Sequence, residues 1–366
     1  MSIRNWAATA AAVAALAAGC SKPAANNETT RATTTIQTTT VAAADCAPAG
    51  KVNYLCGPAN AEDLVLAPDT SWMVVSGMSG PQGGAGKLYL IDAAKKSWKT
   101  VAPVMGGAAK APYDKCTAPD IAKFAAHGLA LQPGSGGHHT LFAINHGGRE
   151  SIEVFDLDAT AAEPTLTWIG CLNAPEGASL NSVAPAPNGG LVASKFNALG
   201  DAKAFAKMAA GEKTGLVYHW TPAAGFKVVP GTQMSGANGV AVSADGKWLF
   251  ANAWPEKKIN RFPLAGGKAE TISVDFLPDN LRWAPDGMLL VAGQVSDMKN
   301  LQSCGKPRCP HAWTVLKIDP ATMKTTPVLH EEGTEAFSDA TGALQVGDDI
   351  WVGTFRGDRL AYASVK

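Results

Sequence analysis

The sequence predicts an all-β protein, and within that class a six-bladed β-propeller. Three observations predict it. One segment type recurs six times between residues 62 and 355. Apolar residues within it are spaced by two, not by 3.6, which excludes a helical solenoid. Asp-Gly and Asn-Gly turns join short apolar runs, about four strands per period, and this is how propeller blades read in sequence.

The chain has 366 residues, and 31 basic groups balance 31 acidic ones to a formal net charge of zero. No concentrated basic surface follows from that balance, so no nucleic-acid partner is expected. A hydrophobic content of 46% with 38 Gly and 23 Pro suits a globular, turn-rich protein.

Residues 1–20 read as an export signal. Arg4 supplies the charge, Ala7 to Ala18 form an apolar run, and Gly19-Cys20 follow. The run is too short to span a bilayer. A small residue directly before a Cys resembles a bacterial lipobox, in which Cys20 is lipidated and becomes the mature N-terminus; Ala17 stands where that motif usually has Leu. The expected location is that of an exported lipoprotein, anchored to the membrane through Cys20 and facing the periplasm or sorted to the outer membrane. Without the lipid the protein would be secreted. Residues 21–45, rich in Thr, Ala and Asn, have almost nothing to bury and read as a flexible tether. The folded domain is expected over residues 46–366.

Six cysteines remain beyond Cys20, an even count that favours disulfides in an exported chain. They allow 15 pairings. Cys46 with Cys56 and Cys304 with Cys309 are the close pairs, which leaves Cys116 with Cys171. No second pair or His stands at zinc-finger spacing around CGKPRC.

In chain order the repeats are EDLVLAPDTSWMVVSG, HGLALQPGSGGHHTLFAINH, NSVAPAPNGGLVASKF, NGVAVSADGKWLFANAW, DNLRWAPDGMLLVAGQ and TGALQVGDDIWVGTF. Seven steps back from the turn residues Asp69, Asn188, Asp245 and Asp286 lead to Glu62, Asn181, Asn238 and Asp279. The same step from Gly134 and Asp348 leads to His127 and Thr341. The first strand of each blade lines the central channel, so equivalent positions form one ring around the axis.

Two carboxylates and two amides on such a ring would be costly in an empty core, through repulsion and desolvation. A hard divalent cation removes both costs, and an all-oxygen set with neutral amides suits Ca²⁺ better than Mg²⁺ or a softer transition metal. Asn and Asp at strand starts are also ordinary turn residues; their shared register is what sets these apart. The fold class so read is a six-bladed β-propeller with a central Ca site.

His127 shares the ring, and His146 lies nineteen residues on, at the far end of the partner strand. A hairpin would bring both imidazoles to one face, as a base and its orienting partner beside the metal or as two unrelated histidines. His138 and His139 sit in a Gly-rich turn and are expected to be solvated. His219, His311 and His330 fall in outer strands or loops without evident partners. No Gly-x-Ser-x-Gly elbow, Walker loop or HExxH motif is present.

At AEDLVLAPD, AHGLAL, FAINHGGRESIEVFDLD, GANGVAVSADGKWLFANAW and LPDNLRWAPDGMLLV the chain resembles the serum paraoxonase/arylesterase family, within the wider gluconolactonase and senescence-marker propellers. The resemblance extends over about residues 57 to 366. It implies a catalytic Ca²⁺ on Glu62, Asn181, Asn238, Asp279 and Asn280, with His127 as base and His146 assisting. It implies hydrolysis of small-molecule lactones and aryl esters, with promiscuity toward organophosphates. A second, structural Ca²⁺ would use Asp63 and the Leu129 carbonyl, but Ser182 replaces its other carboxylate, so this site is weakened or lost. Ala363 stands where the family has its ring-closing Cys, so closure must rest on strand pairing or on other cysteines. The segment NALGDAKAFAKMAAGEKTG, at the family's lid, looks helical and is poorer in aromatics.

Two rival functions are a non-catalytic envelope propeller that keeps Ca²⁺ for stability while binding a ligand or partner, and a condensing enzyme like the strictosidine-synthase relatives. The histidine pair favours the hydrolase.

Overall fold

The computed structural model describes residues 46–79, 86–304 and 309–366. The expected export signal, Cys20 and the tether lie outside the described residues.

Among the described residues the chain forms six four-stranded antiparallel sheets. The innermost strands of blades 1 to 6 are Ala61–Leu66, Ala126–Gln132, Ala178–Ala186, Ala237–Val242, Leu277–Trp283 and Ala340–Val346. Each opens one of the six sequence repeats. The second strand of each blade shows why the apolar runs there are continuous and not alternating. Strands such as Trp72–Gly77, Trp248–Ala253 and Asp349–Thr354 are buried at every position after the first, because both faces of a blade pack against neighbouring blades.

Closure comes from the N-terminus. Asn53–Cys56 is the outermost strand of blade 6, paired with Arg359–Ser364 so that Tyr54 faces Ala361 and Cys56 faces Arg359. Blade 6 thus holds strands from both ends of the chain, and strand pairing does the work for which Ala363 offers no thiol. The seam between blades 6 and 1 is filled by Leu64, Met73, Val75, Leu344, Trp351 and Leu360. Full burial of side chains of this size stabilises by roughly 1.5–3 kcal/mol each. Lys96 of blade 1 also lies over the Trp351 and Tyr362 rings, at 4.5 and 4.2 Å.

Disulfides join Cys46 to Cys56, Cys116 to Cys171 and Cys304 to Cys309. Three disulfides indicate an oxidising, extracytoplasmic compartment.

The expected lid helix is Ala204–Ala209, and a second short helix, Met298–Ser303, was not foreseen. They pack together around Trp254, Leu277, Met208 and Leu301. Both interrupt the connection after the second strand of their blade. The pairing of Ala178 with Ala198 and of Leu277 with Gln294 places these connections on the face where the innermost strands begin. Phe205 sits on this face with 49% of its surface exposed, edge-on to Phe196 and Trp254.

Candidate functional site

All six innermost strands share one irregularity near their start. The register slips at Ala61/Asp63, Ala126/Leu129, Leu180/Val183, Ala237/Val240, Pro278/Leu281 and Ala340/Ala343. A bulge re-aims the side chains it carries. The residues spanned by the six bulges include Glu62, His127, Asn181, Asn238, Asp279 and Thr341, the ring positions expected from the repeat. Close packing at the axis explains the glycines that follow some of them. A Cβ on Gly128 would stand 2.2 Å from the Asn181 carbonyl oxygen, and one on Gly239 would stand 2.4 Å from that of Asp279.

The ring residues other than partly exposed His127 are buried, and their polar atoms are unevenly satisfied. Asn280 Nδ2 donates to Glu62 Oε1 at 2.7 Å, across blades 5 and 1. Gln294 Nε2 donates to Asp279 Oδ2 at 3.0 Å, and Trp254 Nε1 donates to Gln294 Oε1 at 2.9 Å. Glu62 Oε2, Asn181 Oδ1, Asn238 Oδ1 and Asn280 Oδ1 are buried without a hydrogen-bond partner. These four acceptors come from blades 1, 3, 4 and 5. Buried oxygens left without donors are costly, and a hard cation is the group such a set can hold. Thr341 departs from the pattern, since its hydroxyl donates to the Glu62 carbonyl at 2.6 Å and joins blade 6 to blade 1.

Burial raises the Asp279 carboxyl well above the ordinary range, and the nearby Glu62 charge adds to it. At His127 burial pulls the pKa down, but the nearby charge of Glu62, with those of Asp279 and Asp63 beyond, carries it above the usual imidazole value.

Ala126 pairs with Asn145, so the residues that follow lie at one end of the hairpin. His127 Nδ1 and His146 Nε2 stand 2.8 Å apart. His127 Nε2 faces the ring, 3.7 Å from Glu62 Oε2. His146 Nδ1 lies 2.9 Å from Glu150 Oε2, while Glu150 Oε1 accepts from the Leu180 backbone N–H at 2.6 Å. Neither Glu150 nor Gln294 was anticipated from sequence. The signal for Glu150 was the four-residue step in HGGRE; Gln294 closes the fifth repeat but carried no mark of its own.

Asp63 and Leu129, expected around a second ion, are engaged by the chain itself. Arg282 Nη2 pairs with Asp63 Oδ2 and donates to the Leu129 carbonyl at 2.6 Å.

Two expectations about histidines are corrected. His139 is not solvated: it is buried, and its Nδ1 accepts from Gly134 N–H at 3.1 Å, because it occupies a strand position facing the blade interior. His311 has a partner in buried Asp339, at 2.7 Å, supplied by the connection that leads into blade 6.

No family model matches the chain, and no curated protein matches it either. Among solved structures it is similar to a luciferin-regenerating enzyme, at 14% identity and a TM-score of 0.55, covering 86% of this chain and 98% of that one. A gluconolactonase from Xanthomonas campestris is similar at 15% identity and a TM-score of 0.52, over 86% and 89% of the two chains. So is a protein of unknown function from Bacteroides thetaiotaomicron, at 11% identity and a TM-score of 0.54, over 85% and 75%. The chain therefore has the fold of the gluconolactonase-like propellers.

Proposed function

We propose that this chain is a Ca²⁺-dependent hydrolase of small lactones and aryl esters, with organophosphates as promiscuous substrates. One observation carries the reading: four buried oxygens without a hydrogen-bond partner stand on and beside the ring that also bears the His127–His146–Glu150 chain. The ion would be held by Glu62, Asn181, Asn238, Asp279 and Asn280, and when bound it would polarise the substrate carbonyl or phosphoryl oxygen and stabilise the developing oxyanion.

The proton chemistry belongs to the chain's own residues. The Glu150 carboxylate accepts hydrogen bonds only, so His146 carries its proton on Nδ1 and presents Nε2 as an acceptor. His127 must then donate from Nδ1, which leaves its Nε2 lone pair facing the ring. That nitrogen is the general base for an attacking water, and His146 with Glu150 stabilises the imidazolium that forms. An ion kept for stability alone would need none of these three residues. The apolar face around Trp254, Phe196 and half-exposed Phe205 offers a seat for the acyl or aryl part of a substrate.

The test is hydrolysis of a γ- or δ-lactone, phenyl acetate and an aryl phosphotriester, with Ca²⁺ and after chelation, by the wild type, His127→Gln and Asp279→Ala. Ca²⁺-dependent activity that falls about a hundredfold or more in both variants is expected. A folded, Ca²⁺-loaded protein that hydrolyses nothing in the panel would replace this reading with a binding propeller.

A further inference from the structure

We infer that Arg282 is the internal cation of the propeller axis: its guanidinium takes the place of a second metal ion, so this chain holds no ion on Asp63 and Leu129. The inference stands apart from the hydrolase reading.

Arg282 lies near the end of the innermost strand of blade 5, and its side chain crosses the axis. Nη2 pairs with Asp63 Oδ2 in blade 1 and donates to the Leu129 carbonyl of blade 2 at 2.6 Å. Nε donates to the Leu64 carbonyl at 3.0 Å, and Nη1 donates to the Leu281 carbonyl at 2.9 Å. The acceptors are one carboxylate and three backbone carbonyls. An all-oxygen set of this kind is what a hard cation takes, and here a planar, permanently charged fork takes it instead.

Charge decides between the two occupants. Asp63 is fully buried and the Arg282 side chain is 11% exposed. One guanidinium against one carboxylate leaves the cluster neutral. Asp63 has a further role in holding the strands, since its two oxygens accept from the Leu64 and Leu129 backbone N–H groups at 2.8 and 2.7 Å. A divalent ion added beside Arg282 would set three positive charges on the one carboxylate they would have to share, with little water to compensate. A divalent ion in place of Arg282 would need a second carboxylate. In the repeat register Ser182 follows Asn181 as Asp63 follows Glu62, and its hydroxyl accepts from Val240 N–H at 3.3 Å, while its own N–H donates to Ser194 Oγ at 3.0 Å. A neutral Ser at this place supplies no second negative charge, and Arg282 supplies a tethered positive one. A tethered cation cannot be chelated, so this part of the axis stays tied across blades 1, 2 and 5 when calcium is withdrawn.

The test counts ions on the full-length protein by equilibrium dialysis with Ca²⁺ and follows thermal unfolding. The wild type is expected to bind at most one ion, and Ser182→Asp is expected to add none while Arg282 remains. The double variant Arg282→Ser/Ser182→Asp is expected to bind one ion more than the wild type. Arg282→Gln alone is expected to lower the unfolding midpoint by about 5–10 °C, because it leaves a buried carboxylate unpaired, and added Ca²⁺ should not restore it. Two ions on the wild type, an extra ion on Ser182→Asp, no gain in the double variant, or an unchanged midpoint in Arg282→Gln would each overturn the inference. If the Arg282 variants do not fold, the wild-type and Ser182→Asp counts decide. A wild type that binds no ion would remove the catalytic calcium of the proposed function, and the double variant would still decide this inference.

Discussion

His146 Nδ1 lies 2.9 Å from Glu150 Oε2, so a carboxylate closes the outer end of the histidine pair whose inner nitrogen, His127 Nε2, faces the ring. Glu150 is itself anchored, because Leu180 N–H of blade 3 donates to its other oxygen at 2.6 Å. A carboxylate held between two blades thus orients an imidazole pair that belongs to only one of them.

Glu150→Gln should therefore lower kcat by about ten- to a hundredfold without weakening Ca²⁺ binding, since an amide can present either a donor or an acceptor and no longer imposes one tautomer. Steady-state kinetics beside a calcium titration checks this. A parallel loss of calcium affinity would place Glu150 in the ring's support and not in the proton path.

Gly239→Ala should lower stability by about 2–4 kcal/mol and reduce calcium affinity together, because the new Cβ would meet the Asp279 carbonyl oxygen at 2.4 Å. The clash is with backbone, which cannot rotate away. Denaturant unfolding and dialysis of the same preparation would show whether the two losses coincide.

In chelator the protein should lose stability as pH rises. Burial first, and the Glu62 charge second, hold the Asp279 carboxyl well above its ordinary value. A carboxyl with a raised folded pKa contributes fully below its unfolded pKa of about 4, and that contribution is lost as pH climbs through the folded value. Ca²⁺ favours the ionised form and should remove the decline. Unfolding midpoints between pH 4 and 9, with EDTA and with Ca²⁺, test the sign; a chelated midpoint that climbs over this range contradicts it.

Leu55→Asp should cost about 3 kcal/mol or more, because it places a charge in the seam between blades 6 and 1 and weakens the strand that closes the ring. Limited proteolysis of the variant should cut first near the N-terminal strand. A cut pattern identical to that of the wild type would mean that closure does not depend on this strand.

Much of the architecture is legible in the amino-acid sequence. The period-two spacing marked strands, the turn dipeptides marked hairpins, and six repeats marked six blades. His127 and His146 were legible as a pair because a hairpin of known length joins them. Their outward partner Glu150 was not, since a four-residue step between a His and a Glu is common and acquires meaning only where the chain turns back. His139 was misjudged for the opposite reason: its glycine neighbours suggested a loop tip, while the strand His138–Asn145 begins one residue earlier.

The sequence by itself determined the ring. A repeat that returns to the same backbone position once per blade carries Glu62, His127, Asn181, Asn238, Asp279 and Thr341 to equivalent places around one axis, so register alone was enough. Only the tertiary structure decided what lies across that axis. Arg282 and Asp63 are 219 residues apart and in blades that are not adjacent. No local period relates them; they meet because ring closure turns the innermost strands of both blades toward one axis, where a long cationic side chain reaches a buried carboxylate.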